Sequence, residues 1–310
     1  MVRKTKAKAT DVEVLGLDVG YAMTKVCTKD DAFSFRSTIK KGSIDVNRDD
    51  IVIGFDGKTY TVGASNGTGT TKRNKIHTEV FDVCVLSAIV KAFEDRDEIN
   101  VNLVTGLPIS YYNGQREKLI EALKGREEVI MYKKRERKIK INDCIVFPQS
   151  AGIKLLHKKD ISEKTQLVID IGGLTVDVSY FEKGVLVSYK SYPLGVLKFY
   201  SYLVQQVAEE LSIDYTVATI EDAIDDGIIY DEEKIDFDFD QRFEYWLNQI
   251  IEEVRVDFPY DSVFKKTWMG GGSLRFKPYI KKDKGVKIDE VYTNAKAFYA
   301  IGDAKFGEEN

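Results

Sequence analysis

Apolar residues fall in short runs bounded by Gly, Asp and Pro, interleaved with stretches where they recur every third or fourth position, a pattern of strands alternating with helices. Val14–Asp18 and Met23–Thr28 predict two strands around a tight turn at Gly20, a hairpin rather than a strand-to-helix turn. Ile51–Phe55 and Lys58–Val62 flank Asp56-Gly57, the dipeptide of a short hairpin. A loop, Gly63–Lys75, leads to Glu79–Phe93, where Val80, Val83, Cys84, Ser87, Ala88 and Val90 have helical spacing. Val101–Gly106 returns as a strand that closes at Leu107-Pro108.

Tyr112–Leu123 predicts a helix, and Glu128–Tyr132 and Lys138–Phe147 predict strands about the run Lys133-Lys134-Arg135-Glu136-Arg137, read as a solvated hairpin tip. Pro148 ends that strand, and Gln149–Leu156 begins a short helix. The pattern of the first half then restarts with a strand to Ile171, a glycine turn, and strands at Val176–Phe181 and Val185–Tyr189. Gly195–Leu211 and Phe243–Val254 predict amphipathic helices, Thr219–Asp226 a short helix, and Val263–Met269 a strand. Gly270-Gly271-Gly272-Ser273 reads as a turn built of backbone alone, and Asn294–Ile301 as a closing helix. Met1–Thr10 is basic and without periodicity, a solvated tail.

Composition narrows what such a chain does. At 310 residues and 43% hydrophobic it has the size of two domains and enough apolar surface for real interiors. Lys plus Arg number 46 against 50 Asp plus Glu, a net charge of -4, so no global field draws it to nucleic acid or anionic lipid and any DNA role is indirect. Cys27, Cys84 and Cys144 are far apart and form neither a disulfide framework nor a zinc signature. His77 and His157 have no metal partner nearby in sequence. Without a membrane-length apolar run or a signal-peptide core, the expected location is the cytoplasm.

The chemistry gathers at two turns. Asp18-Val19-Gly20-Tyr21-Ala22-Met23-Thr24-Lys25 follows a buried strand and places a carboxylate, a glycine and a cation together. Asp170-Ile171-Gly172-Gly173-Leu174-Thr175-Val176-Asp177 repeats the arrangement, with paired glycines interrupting what would otherwise be a buried strand. In each, glycine lets backbone N–H groups approach phosphate, while Asp18 or Asp170 holds Mg²⁺ or one of its waters. Two such hairpins suggest a nucleotide held between two similar halves.

These turns, in this order and followed by Gly270-Gly271-Gly272-Ser273, resemble the actin/Hsp70/sugar-kinase ATPase superfamily. The resemblance implies an α/β, actin-like fold of two similar RNase H-like domains around an interdomain nucleotide cleft. Domain I would span 12–155 with a small inserted subdomain at about 34–78, and domain II 156–310 with a reduced subdomain at about 213–243. The latter is acidic, with ten acids against the single base Lys234 between Glu221 and Asp240.

By the same resemblance, Gly20, Tyr21, Thr24, Lys25, Gly172, Gly173 and Thr175 surround phosphate, and Gly270, Gly271, Gly272 and Ser273 cradle adenosine. Phe147-Pro148-Gln149-Ser150-Ala151-Gly152 looks like the first connecting segment, which makes Gln149 the residue that orients the attacking water, with Asp18 and Asp170 as its catalytic companions. Gly54-Phe55-Asp56-Gly57-Lys58-Thr59-Tyr60-Thr61-Val62-Gly63 and the second turn are most similar to bacterial plasmid-segregation actins of the ParM/StbA and AlfA group. That likeness implies a slow ATPase, with ATP or GTP and Mg²⁺ as cofactors, whose subunits polymerise. A ParR-type adaptor bound to centromere-like plasmid DNA would capture the filament. The alternative is a non-polymerising sugar-kinase-like phosphotransferase of the same superfamily, with Asp177 facing an acceptor hydroxyl.

Overall fold

The computed structural model describes residues 12–42, 51–150, 152, 164–281, 286–289 and 291–307. In chain order its first elements are β1 (Val12–Val19), β2 (Met23–Cys27), β3 (Ala32–Arg36), β4 (Ile39–Lys41), β5 (Ile51–Phe55) and β6 (Lys58–Val62). They are followed by α1 (Glu79–Ala92), β7 (Glu98–Leu107), α2 (Tyr112–Leu123), β8 (Glu127–Tyr132) and β9 (Arg135–Pro148). The second half holds β10 (Gln166–Ile171), β11 (Val176–Glu182), β12 (Val185–Tyr192), α3 (Val196–Leu211), α4 (Ile220–Asp226), β13 (Ile228–Tyr230) and β14 (Glu233–Ile235). It closes with α5 (Phe239–Asp257), β15 (Lys265–Met269), α6 (Gly270–Arg275), α7 (Lys277–Ile280), β16 (Val286–Ile288) and α8 (Thr293–Phe306).

The chain forms two compact units, one of Met1–Leu156 with Tyr292–Asn310 and one of His157–Val291. The first is built on a nine-stranded sheet in the order β3-β2-β1-β7-β9-β8-β5-β6-β4. Leu15, Leu17 and Val19 of β1 are buried together with the intervening Asp18, as expected of a strand covered on both faces. α1 begins at Thr78, whose hydroxyl accepts from the Phe81 N–H at 3.3 Å, and residues Val80 to Val90 are buried apart from Asp82, so this helix is interior on nearly every side.

α8 packs on the same sheet because small residues let it come close. A methyl group on Gly16 would lie 2.2 Å from the Ala295 carbonyl oxygen, and one on Gly302 would lie 2.5 Å from Val14 Cγ1. The closing helix, expected in the second domain, therefore belongs to the first unit. Helical periodicity identifies the helix but carries nothing about which sheet receives it.

The residues of the expected inserted subdomain carry β4, β5 and β6, which join the main sheet through β5 pairing antiparallel with β8. β3 and β4, unread in the sequence, supply edges on either side of it. The charged run after β8 is only partly a solvated tip. Lys133 and Lys134 make the turn with positive φ, but Arg137 is buried, donating to the carbonyls of Arg96 and Glu94 and to Asp97. It thereby satisfies the chain that leaves the C-terminal end of α1. The basic tail, His157 and five of the eight residues of the helix expected over Gln149–Leu156 lie outside the described residues.

The second unit carries a five-stranded sheet, β12-β11-β10-β15-β16. Phe199, Leu203 and Val207 of α3 and Phe243, Leu247, Ile250 and Val254 of α5 recur at three- and four-residue intervals and fill its core. Phe199 meets Phe243 with ring centroids 4.6 Å apart and Phe276 at 5.0 Å. The acidic stretch forms α4, the β13–β14 hairpin and the start of α5. Gly270–Ser273, expected as a turn without regular structure, is the first part of α6.

Candidate nucleotide site

In the first unit the antiparallel register sets Asp18 opposite Lys25, so the two side chains stand on one face of the β1–β2 hairpin. Lys25 Nζ lies 3.6 Å from Asp18 Oδ2, and both residues are buried. Gln149, just beyond the end of β9, donates from Nε2 to Asp18 Oδ1 at 2.6 Å. A carboxylate, a cation and a neutral amide, drawn from two strands and the end of a third, therefore meet at the end of β1. An amide whose donor end rests on a carboxylate is oriented, with an acceptor end suited to a water.

Gln149 is placed by residues that the sequence reading did not single out. Its N–H donates to the Leu107 carbonyl at 2.8 Å, and the next N–H, of Ser150, donates to Asn294 Oδ1 at 3.2 Å. A methyl group on Gly106 would meet Phe298 Cζ at 2.3 Å and Gln149 Cγ at 3.2 Å. Gly106, Asn294 and Phe298 thus form the seat of the amide. The one visible signal was a glycine inside a strand, which marks close approach by another group.

The turn itself is tight. The Gly20 N–H donates to Asp18 O at 3.1 Å and to Met23 O at 3.0 Å, and a methyl group on Gly20 would lie 2.7 Å from the latter. Thr24 stands on the opposite face from Lys25, fully buried, with its hydroxyl 2.9 Å from that of Ser37. It is held in the interior beside Cys84, whose thiol burial pushes up to about 12. Tyr21 is buried with its hydroxyl on the Arg73 carbonyl.

In the second unit Asp170 faces Asp177 across the β10–β11 pair, and both are buried. Asp177 accepts from the Thr175 hydroxyl at 3.1 Å and from Ser191. The glycine turn is closed by Gly172 N–H to Thr175 O at 2.8 Å, and the start of α3 donates to it, Val196 N–H to Gly172 O and Leu197 N–H to Gly173 O. Gly195, read in the sequence only as the start of a helix, is wedged there. A methyl group on it would lie 2.4 Å from the Leu174 carbonyl carbon and 2.6 Å from Gly173 O.

Gly270 follows β15 beside Asp170 with φ of +84°, and a methyl group on it would fall 2.2 Å from Asp170 Oδ1. Gly272 is equally close to Ile171, and Ser273 turns its hydroxyl back to the Met269 carbonyl. Of the three glycines only Gly271 has open space at its Cβ position. Two of them are therefore needed for packing against β10, which leaves Gly271 as the candidate for contact with a ligand. Arg275, in the same helix, is fixed by both oxygens of Asp225 at 2.7 and 2.8 Å.

Among the described residues no group of three or more His, Cys, Asp or Glu side chains converges on a metal position. Mg²⁺ keeps several waters and takes one or two carboxylates with phosphate oxygens, so a single buried carboxylate, Asp18 in the first unit or Asp170 in the second, is chemically compatible with it. No described helix is long and apolar enough to cross a membrane.

Residues 16–152 match the family model for the N-terminal domain of actin-like proteins. The chain is similar to an archaeal actin homologue, Ta0583, solved in complex with ADP, at 22% identity and TM-score 0.78 over 94% of this chain and 100% of that one. It is also similar to a ParM from Clostridium botulinum solved as a 15-stranded filament, at 20% identity and TM-score 0.81 over 95% and 100% of the two chains. The Alp12 filament structure aligns at 21% identity and TM-score 0.69 over 96% and 100%. A search of curated protein sequences found no match. The fold is actin-like.

Proposed function

We propose that this chain is a nucleotide-dependent, polymerising ATPase of the cytoplasm, whose filaments separate plasmid DNA through a DNA-bound adaptor of the ParR type. The observation that carries the ATPase reading is the convergence of Asp18, Lys25 and Gln149 at the first glycine turn. The filament reading draws on likeness over nearly the whole chain to proteins solved as filaments. The ADP complex of the archaeal homologue supports a nucleotide ligand here.

In this reading both glycine turns serve the phosphates. Lys25 balances their charge. Gln149 cannot act as a strong base, because its amide does not titrate, but it orients a water by donating and accepting hydrogen bonds. Asp18 and Asp170 are the carboxylates that would hold Mg²⁺, directly or through water, and the ion would supply neutralisation of phosphate charge. Gly271 would meet the nucleoside. Slow hydrolysis then acts as a timer, because a bound triphosphate favours the assembling state and its cleavage removes that bias.

A phosphotransferase reading would need Asp177 to accept a proton from a substrate hydroxyl. Its carboxylate already accepts from Thr175 and Ser191, which favours a structural role. Light scattering and phosphate release after adding ATP, GTP or ADP with Mg²⁺ test the proposal. The expected result is a rise in scattering with triphosphate that decays as phosphate appears. Gln149→Ala should assemble and hydrolyse about a hundredfold more slowly, and Asp170→Ala should lose hydrolysis. Turnover without scattering, and only with an added hydroxyl acceptor, would replace this reading by the kinase one.

A further inference from the structure

The loop between β6 and α1 is fastened to the first turn at two points. The Tyr21 hydroxyl donates to the Arg73 carbonyl at 3.2 Å, and Lys75 Nζ donates to the Val19 carbonyl while standing 5.3 Å from the centroid of the Tyr21 ring. Lys75 is 3% exposed, whereas Lys72 and Arg73 in the same loop are exposed. A lysine ordinarily buries its stem and leaves its ammonium in water, and burying the charge costs stability unless polar groups receive it. One receiving group here is the Val19–Gly20 peptide. That peptide is held at both ends, its carbonyl by Lys75 and its N–H by Met23 O at 3.0 Å.

The backbone of Lys75 leads elsewhere. Its carbonyl accepts from the Thr78 N–H at 3.1 Å and from the Thr78 hydroxyl at 2.7 Å, and Thr78 is the cap of α1. One residue therefore joins the peptide that follows Asp18 to the start of the interior helix. We infer that Lys75 is a positioning residue of the first phosphate turn, fixing the Val19–Gly20 peptide beside the Asp18 carboxylate and passing changes at the turn into the loop before α1. This rests on the nucleotide reading above for its consequence, though not for the clasp itself. When phosphate engages the turn, the clasp tightens; when the clasp is cut, the loop no longer responds.

Limited trypsin digestion reads this directly, because Arg73 is exposed and its carbonyl is one of the two fastening points. In Lys75→Met, cleavage after Arg73 should rise by about tenfold, the factor that loss of one charge-assisted hydrogen bond gives to local opening. Lys75→Arg, which keeps the donor, should restore most of the protection. Tyr21→Phe should show a smaller rise and keeps the test available if Lys75→Met folds poorly, which labelling of the buried Cys144 thiol in the same unit checks. Mg-ATP should slow cleavage in the unmutated chain and not in Lys75→Met. Unchanged cleavage in both Lys75→Met and Tyr21→Phe, or protection by Mg-ATP that survives Lys75→Met, would overturn the inference. If Mg-ATP has no effect on the unmutated chain while Lys75→Met still opens the loop, the nucleotide reading fails and the clasp stands.

Discussion

The β1–β2 turn holds its carboxylate by charge and amide contact, whereas the β10–β11 turn holds its own by close packing around glycine. Asp18 sits between Lys25 and Gln149, side chains that arrive from different strands or strand ends. Asp170 has Asp177 across from it, and the surrounding geometry depends on Gly195 and Gly270, where added carbon atoms would collide with backbone or carboxylate. The two turns share a sequence signature, an acid and a glycine after a buried strand, yet rest on different physics. A polar clamp loosens in steps as partners are removed; a packed glycine seat tolerates no increment of volume.

That contrast makes the second turn the more fragile one. Gly195→Ala should cost about 3 kcal/mol or more, because the methyl group meets three backbone atoms of the Gly173–Thr175 turn, none of which can swing away as a side chain would. The chain contains its own reporters for where the damage falls. Trp246 and Trp268 both lie in the second unit, and Cys27, Cys84 and Cys144 all lie in the first. Cys84 and Cys144 are buried, and burial pushes their thiols up to about 12, so at pH 8 their labelling reports opening of the first unit. In urea, Gly195→Ala should move the tryptophan transition to lower denaturant by more than it moves thiol labelling. Equal displacement of both would mean that the units unfold as one, and the comparison would fail.

Lys25→Met tests the first turn from the opposite side. It leaves Asp18 buried with Gln149 but without its cation, which should cost about 2 kcal/mol, less than a fully desolvated pair because the amide contact survives. Here thiol labelling should respond and tryptophan emission should not. Gln149→Ala removes a neutral donor and should cost about 1 kcal/mol in the same assay, so its larger effect appears in hydrolysis. If Gln149→Ala destabilised the first unit more than Lys25→Met, charge would not be the main support of Asp18.

How much of this could be read from the chain depends on the distance over which each contact acts. The hairpin at Gly20 was legible, whereas the pairing of Asp18 with Lys25 came from the antiparallel register that the turn sets. The glycines at 172, 173 and 270 announced close approach, although Gly270–Ser273 proved to be helical and mostly packed against β10. What approaches a glycine was not legible. Gly106 needed Phe298, and Gly195 needed the turn at Leu174, and neither partner leaves a periodic trace. Thr24 looked like a phosphate ligand by proximity in sequence, but alternation along β2 turns it to the other face. Arg137 was hidden inside a charged run whose other members are solvated. Local chemistry was readable where strands join through short turns, and opaque where a side chain's partner comes from a distant element.

The smallest effect expected is also the one that tests whether the second turn is held by packing alone. Thr175 and Ser191 both donate to Asp177, the carboxylate opposite Asp170. Thr175→Val keeps the shape and removes one donor, and should cost less than about 1 kcal/mol, since the remaining hydroxyl still serves the same carboxylate. Ser191→Ala should behave alike. The double variant leaves a buried carboxylate without either hydroxyl, so its cost should exceed the sum of the single ones, a coupling measurable by the tryptophan transition in urea. Strict additivity would show that these hydroxyls do not share one load on Asp177. The packed glycines would then carry more of the second turn than these two hydroxyls do, and the contrast with the first would be sharper.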